Sequence, residues 1–388
     1  MIKNKKSPTT KDKKKVVKRI TATTNSKNKA NSDKNVIKPV QVTYSISPGF
    51  VIMLANLKIA IAVTSYQSGK LYLLGCNPKG GLMLDERLFE KAMGLYVDGN
   101  EFLLATLFQI HRFQNILEKD QFINHTFDAC YVPRINYTTG VLDTHDVGLL
   151  KNGEIVFVNT LYNCLATTSS KHSFIPIWKP KFISKIVSED RCHLNGLAMD
   201  NGMPRYVTAV CKSNTIDGWR DRRANGGVVI DVIENEIICN GLSMPHSPRI
   251  YNKKLWLLNS GTGELGFVDK EKFHPIAFCP GFLRGLAFAD KYAFIGLSKP
   301  RYKRFEGLEL DNKLKEADSE AWCGIHVIDL ETGNCVEWFR IDGDITEIYD
   351  IAILKGVSCP MSLGFASNEI KRLITHTELN NKYLESVV

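Results

Sequence analysis

The sequence lacks most of the features that would place it quickly. Its longest apolar run, Phe50 to Val63, is 14 residues and is broken by Asn56 and Lys58, short of the roughly 20 apolar residues a membrane-spanning helix needs. Its ten cysteines (76, 130, 164, 192, 211, 239, 279, 323, 335 and 359) include no C-x-x-C pair. That excludes a zinc ribbon, a redox dithiol and the density of a disulfide scaffold. No secretory apolar segment follows Met1, so the thiols are expected to be reduced and mostly buried, in a cytoplasmic protein. H-E-x-x-H, G-x-S-x-G, an EF-hand loop and a G-x-G-x-x-G after a strand are all missing, leaving common protease, esterase and dinucleotide-binding readings unsupported. Helical 3.6-residue periodicity is nearly absent too.

What charge there is sits unevenly. Residues 1–40 hold 13 Lys and Arg against two Asp, whereas the other 348 residues hold 37 basic and 39 acidic side chains. The basic segment has too few large aliphatics to offset its ordering entropy and is expected to be disordered. Its run from Lys11 to Arg19 suits a nuclear address or weak contact with nucleic acid or acidic lipid. The near-neutral body gives no electrostatic reason to expect a nucleic-acid substrate.

The body carries a repeat. A short apolar strand, often led by Gly, recurs beside a turn and a second apolar strand: Gly94 to Val97 with Phe102 to Thr106, Gly148 to Leu150 with Ile155 to Thr160, and Gly196 to Met199 with Tyr206 to Val210. Pro248 to Ile250 with Leu255 to Ser260, and Gly285 to Phe288 with Tyr292 to Ser298, continue the series. A sixth first strand, Asp350 to Leu354, has no partner after it, and successive anchors lie 37 to 66 residues apart. Hairpins around Glu234-Asn235 and Thr332-Gly333-Asn334 fill the intervals. Four antiparallel strands in about fifty residues are a propeller blade. The N-terminal strands Lys58 to Thr64, Gly69 to Gly75 and Leu82 to Leu88 lack a first strand, which Asp350 to Leu354 would supply. The expected fold is therefore all-β: a six-bladed propeller over 45–365, its last blade closed by N-terminal strands. A disordered basic tail over 1–44 precedes it and a tail over 366–388 follows. Leu308 to Ala321 reads as a polar insertion, either a short helix or a loop.

Three consecutive blades place a histidine just ahead of the inner strand. His145 and His193 each stand three residues before an anchor Gly, and His246 stands two before Pro248. Equivalent positions converge on a propeller axis, so three imidazoles could meet one divalent metal (Zn, Mn or Fe), with Asp146 as an oxygen ligand or Asn195 beside it. Hydrogen bonding between blades, or ligand contact without metal, are the alternatives. Arg191, Arg249, Arg284, Glu347, Tyr349 and Asp350 are candidates for the same mouth, where arginines suit a carboxylate or phosphate. The ligand-binding candidates are Arg191, Asn195, Arg249, Arg284 and Asp350. Asn259 to Glu264 and Tyr66 to Lys70 read as hairpin turns. Trp219 to Arg223 reads as an exposed polar loop, with a lid or partner surface as the alternative.

The stretches CHLNGLAMDNGMPRYVTAV, GGVVIDV, GLSMPHSPR, LWLLNSGTGELGFVD and PGFLRGLAF, with TSYQSGKLYLLG and CGIHVIDLETG, resemble a mainly bacterial family of conserved hypothetical proteins. The resemblance covers roughly Phe50 to Phe365. That family is a domain of unknown function, some of whose members carry tetratricopeptide repeats, so it implies one intact domain and no established activity.

Two functional expectations follow. One is a small polar or anionic ligand at the channel mouth, with metal-dependent hydrolase or lyase chemistry at the histidines. The other is a non-catalytic scaffold for a peptide or protein partner.

Overall fold

The computed structural model describes residues 41–300 and 307–378, with the backbone of Ile20 and Thr21. Apart from that dipeptide, the basic segment expected to be disordered lies outside the described residues.

Six sheets, each with four antiparallel strands at its heart, form the six blades. Blade 1 joins Asp350–Lys355 to Ile59–Ser65, Lys70–Cys76 and Leu82–Leu88. One C-terminal strand thus completes three N-terminal ones, as the repeat implies. Blade 2 runs from Leu95–Asp98 to Ala129–Thr138, blade 3 from Thr144–Leu149 to Ile175–Trp178, and blade 4 from Leu194–Asp200 to Glu236–Leu242. Blade 5 spans Pro245–Tyr251 to Lys272–Phe278, and blade 6 spans Phe282–Ala289 to Cys335–Gly343. Closure through blade 1 pairs Asp350 with Thr64 and Lys355 with Ile59 in unbroken register. It leaves no inner edge open to foreign strands.

The apolar alternation along each strand feeds cores that lie between blades. Phe157, Val147 and Leu103 are buried between blades 2 and 3, and Ile183, Leu197 and Val207 between blades 3 and 4. Phe102 stacks on Phe113 with ring centroids 4.4 Å apart, a contact that adds to simple burial.

Three elements go beyond the repeat. The apolar run at Phe50 divides: Phe50–Leu57 is a helix, Lys58 takes a left-handed conformation (φ 52°), and the strand begins at Ile59. Val42–Ile46 adds an outer strand to blade 6, and Pro360–Ser362 adds a parallel one to blade 2. Both cover sheet edges that would otherwise expose unpaired backbone. Within the polar insertion, Glu309–Glu316 is a helix.

Each first strand is irregular at its mouth end. Register shifts fall between Thr144 and Val147, Leu194 and Leu197, His246 and Arg249, and Leu283 and Leu286. In blade 2 the Met93 N–H donates to Ala105 O while the Ala105 N–H donates to Gly94 O. Blade 1 does the same at Tyr349 and Asp350 opposite Thr64. Aligned through this bulge, one position reads Gly94, Asp146, Gly196, Ser247, Gly285 and Asp350 around the ring. Glycine alternates with an acceptor side chain, and the alternation has a physical cause. Asp350 Oδ2 accepts the Leu95 N–H, Asp146 Oδ2 the Leu197 N–H, and Ser247 Oγ the Gly285 N–H, at 2.8, 2.9 and 3.0 Å. Each glycine in turn lets the following blade approach. A Cβ on Gly94 would lie 2.8 Å from His145 O, and one on Gly285 2.6 Å from Ile351 N. The ring is built of three blade pairs.

Candidate functional site

The bulge alignment also sorts the residues at the mouth. The position before the Gly/Asp ring holds Met93, His145, Asn195, His246, Arg284 and Tyr349. Two residues earlier come Lys91, Asp143, His193, Met244, Phe282 and Glu347. This corrects the expected equivalence of His145 and His193. Asp146, not Gly148, is in register with Gly196, so His193 matches Asp143 and His145 matches Asn195.

A cavity of about 480 Å³ opens between these tiers, lined by residues of all six blades and of the loop around Trp219. His145 and His193 face each other edge to face, ring centroids 4.8 Å apart. On one side His193 stacks on Trp219 at 4.2 Å. On the other, His145 lies 5.8 Å from the Tyr349 ring. Tyr349 in turn sits 5.7 Å from the Arg284 guanidinium, which Tyr66 and Phe282 also flank. Lys91 pairs with Asp143 at 2.6 Å.

Hydrogen bonds assign the tautomers. His145 Nδ1 donates to Asp143 O at 2.8 Å and approaches Thr160 Oγ1, whose own proton goes to Leu194 O. Its Nε2 therefore carries the lone pair. Burial pushes the His145 imidazole down to about 4 although the Asp143 carboxylate opposes this, so the ring is neutral at pH 7. Burial would raise the Asp143 carboxyl, but His145, Lys91 and His193 outweigh it and hold it near 2. His193 Nδ1 donates to Asp190 Oδ2 at 2.6 Å, and the His193 backbone N–H donates to Asp190 Oδ1 at 2.9 Å.

His246 is committed elsewhere. Its Nδ1 donates to Met244 O at 2.8 Å, and its Nε2 accepts from Asn195 Nδ2 at 3.0 Å. The structure thus brings His145 and His193 together and keeps His246 in an inter-blade contact. Among the described residues no group of three or more His, Cys, Asp or Glu is arranged to hold a metal ion. Asp146 serves the Leu197 N–H and Arg249 rather than a histidine cluster.

Of the other candidates, Arg284 and Tyr349 line the cavity. Arg191 is bound to Glu189 at 2.7 Å and to Asn214 at 2.7 Å, away from it. Arg249 spans the axis, reaching Asp146 at 2.8 Å and Asp350 at 3.4 Å. Burial and the neighbouring Asp146 raise the Asp350 carboxyl, with Arg249 opposing. Asp190 and Met93 lie in the wall without having been singled out in the sequence. Asp190 lies in an irregular loop, where no period marks it. Trp219, expected on an exposed loop, is buried in an apolar cap with Met244, Phe282 and Leu310. Tyr66, read as a turn residue, is in the cavity wall as well.

Fold and mouth together define a six-bladed β-propeller whose axis is bridged by an arginine and two carboxylates beneath one lined cavity. The chain belongs to the family of domains of unknown function DUF4915, which it matches over residues 48–363. No curated protein matches it. Among solved structures, a nidogen/laminin complex chain is similar at 11% identity and TM-score 0.50, over 77% of this chain and 99% of that one. That likeness shows the fold alone. A catalytically inactive virginiamycin B lyase from Staphylococcus aureus with quinupristin is 10% identical over 84% of this chain and 99% of that one, TM-score 0.37. A gluconolactonase from Xanthomonas campestris is 9% identical over 75% and 87%, TM-score 0.41. Among the described residues no helix is long and apolar enough to cross a membrane.

Proposed function

We propose that this propeller binds a small polar ligand, one bearing an anionic or acceptor-rich group, in the mouth cavity. The observation carrying this reading is a set of unmatched donors. Arg284 Nε, Tyr349 Oη and Trp219 Nε1 are buried with no hydrogen-bond partner, and all three residues line the cavity. Each such group costs about 1–3 kcal/mol when left unpaired, a cost that a ligand acceptor reaching it would offset. Rigid strands from several blades supply the wall, which favours a preformed site over a mobile one. Any hydrolase or lyase chemistry there would draw on His145 and His193, because His246 is occupied by Asn195. All ten cysteines are free and eight are buried, which supports a reducing, cytoplasmic setting.

The test is a thermal-shift screen with small carboxylates, sugar acids and phosphate esters, followed by calorimetry. Stabilisation by some of them, with affinity at least about 10-fold weaker in Arg284→Met, is the expected result. Absence of any shift, or equal affinity in the variant, would overturn the reading.

A further inference from the structure

We propose that His193 is the general base of an ester- or lactone-hydrolysing site in this cavity, with Asp190 as its positioning residue. The inference rests on the ligand site above and adds chemistry to it.

Asp190 grips His193 twice, through the backbone N–H and through Nδ1, at 2.9 and 2.6 Å. That fixes the ring and leaves the Nε2 lone pair to take a proton. Stacking on Trp219 holds the ring plane. The His193 backbone is in the left-handed region (φ 51°), and so are Lys91 (φ 53°), Asp143 (φ 55°) and Met244 (φ 47°) at the matching position, so this conformation belongs to the blade entry. The repeat supplies an internal control. In the other blades this position is Lys91, Asp143, Met244, Phe282 or Glu347, so blade architecture does not demand a His–Asp pair there. Beside it, His145 offers a second imidazole whose Nε2 also carries a lone pair, and Tyr349 offers an unpartnered hydroxyl.

The step balances with water as co-reactant. His193 Nε2 takes one proton from water as its oxygen bonds to the substrate carbonyl carbon. The carbonyl π pair moves onto oxygen, where the Tyr349 hydroxyl donates to it. The intermediate collapses, the C–O bond to the alcohol breaks, and His193 returns its proton to the leaving alkoxide. The products are an acid and an alcohol.

Initial rates of p-nitrophenyl acetate and δ-valerolactone hydrolysis by the full chain test this. The expected result is turnover above buffer that falls about 10²–10⁴-fold in His193→Gln. Asp190→Asn should lower kcat with KM unchanged, which a merely structural defect would not do. His193→Gln should still show the thermal shifts of the ligand screen, proving it folded. Wild-type rates no higher than those of His193→Gln on both probes, with those shifts intact, would overturn the catalytic role while leaving ligand binding standing. If no screened ligand shifts the wild type either, both readings fall.

Discussion

Arg249 of blade 5 reaches across the propeller axis to Asp146 of blade 3, Nη1 to Oδ2 at 2.8 Å, and its other nitrogen lies 3.4 Å from Asp350 of blade 1. Alternate blades are therefore tied through one guanidinium. Both carboxylates also accept backbone N–H groups of the next blade, so the cluster holds all but blade 6 directly. Removing the cation leaves two buried carboxylates uncompensated. Arg249→Met should lower stability by about 3–5 kcal/mol in urea unfolding. The deficit should shrink as pH falls and the carboxyls take protons. A deficit unchanged between pH 7 and pH 5 would show that the packing of Arg249, not its charge, matters.

The alternating glycines make a steric prediction. A Cβ on Gly285 would lie 2.6 Å from Ile351 N and 2.8 Å from Asp350 Cα, at φ +78°. Gly153 has a similar φ of +81° with open space around it. Gly153→Ala should cost about 1 kcal/mol from backbone strain alone. Gly285→Ala should cost roughly 1–3 kcal/mol more, because backbone of the neighbouring blade must move. Equal losses in the two variants would refute close blade approach as the reason for glycine.

Tyr349 separates stability from binding. Its hydroxyl is buried without a partner, so Tyr349→Phe should leave stability unchanged or raise it by about 1 kcal/mol. The same variant should bind the screened ligand about 10-fold more weakly if the hydroxyl contacts it. A variant that loses stability instead would place the hydroxyl in a structural role.

Acid sensitivity is expected from His326. Burial beside Trp322 lowers its imidazole to about 4, and its Nδ1 has no partner. The unfolded chain takes up a proton near pH 6.5 while the folded one resists until about 4, so stability falls as pH drops through that window. Between pH 6.5 and 5 this amounts to about 2 kcal/mol. His326→Phe should flatten the pH dependence of the unfolding free energy by that amount, read from chemical denaturation at both values.

Strand sequence and blade count were legible because alternation, glycine and hairpin residues act locally. Gly94-Leu95, Gly196-Leu197 and Gly285-Leu286 mark three blades unmistakably. The other three carry Asp146, Ser247 and Asp350 at the matching place, and Gly148 two residues on diverted the alignment. A bulge inserts its extra residue without any sequence mark, so one-residue register was out of reach. The outer strand at Val42–Ile46 and the short one at Pro360–Ser362 escaped notice because single strands outside a repeat have no period to betray them.

The same division runs through the site. His145 and His193 were visible as histidines ahead of inner strands, and Arg284 as a basic residue at a mouth. Their neighbours were not: Asp190 stands in an irregular loop, and Trp219 comes from an insertion that folds back over the channel. By itself the sequence determined the blades, their number and the way the ring closes, since these follow from pairings each strand encodes along its own length. Only the tertiary structure decided that His193 meets Asp190, Trp219 and His145 while His246 turns to Asn195. Those meetings depend on bulge register and on loops from different blades converging, distances that no local pattern in the chain fixes.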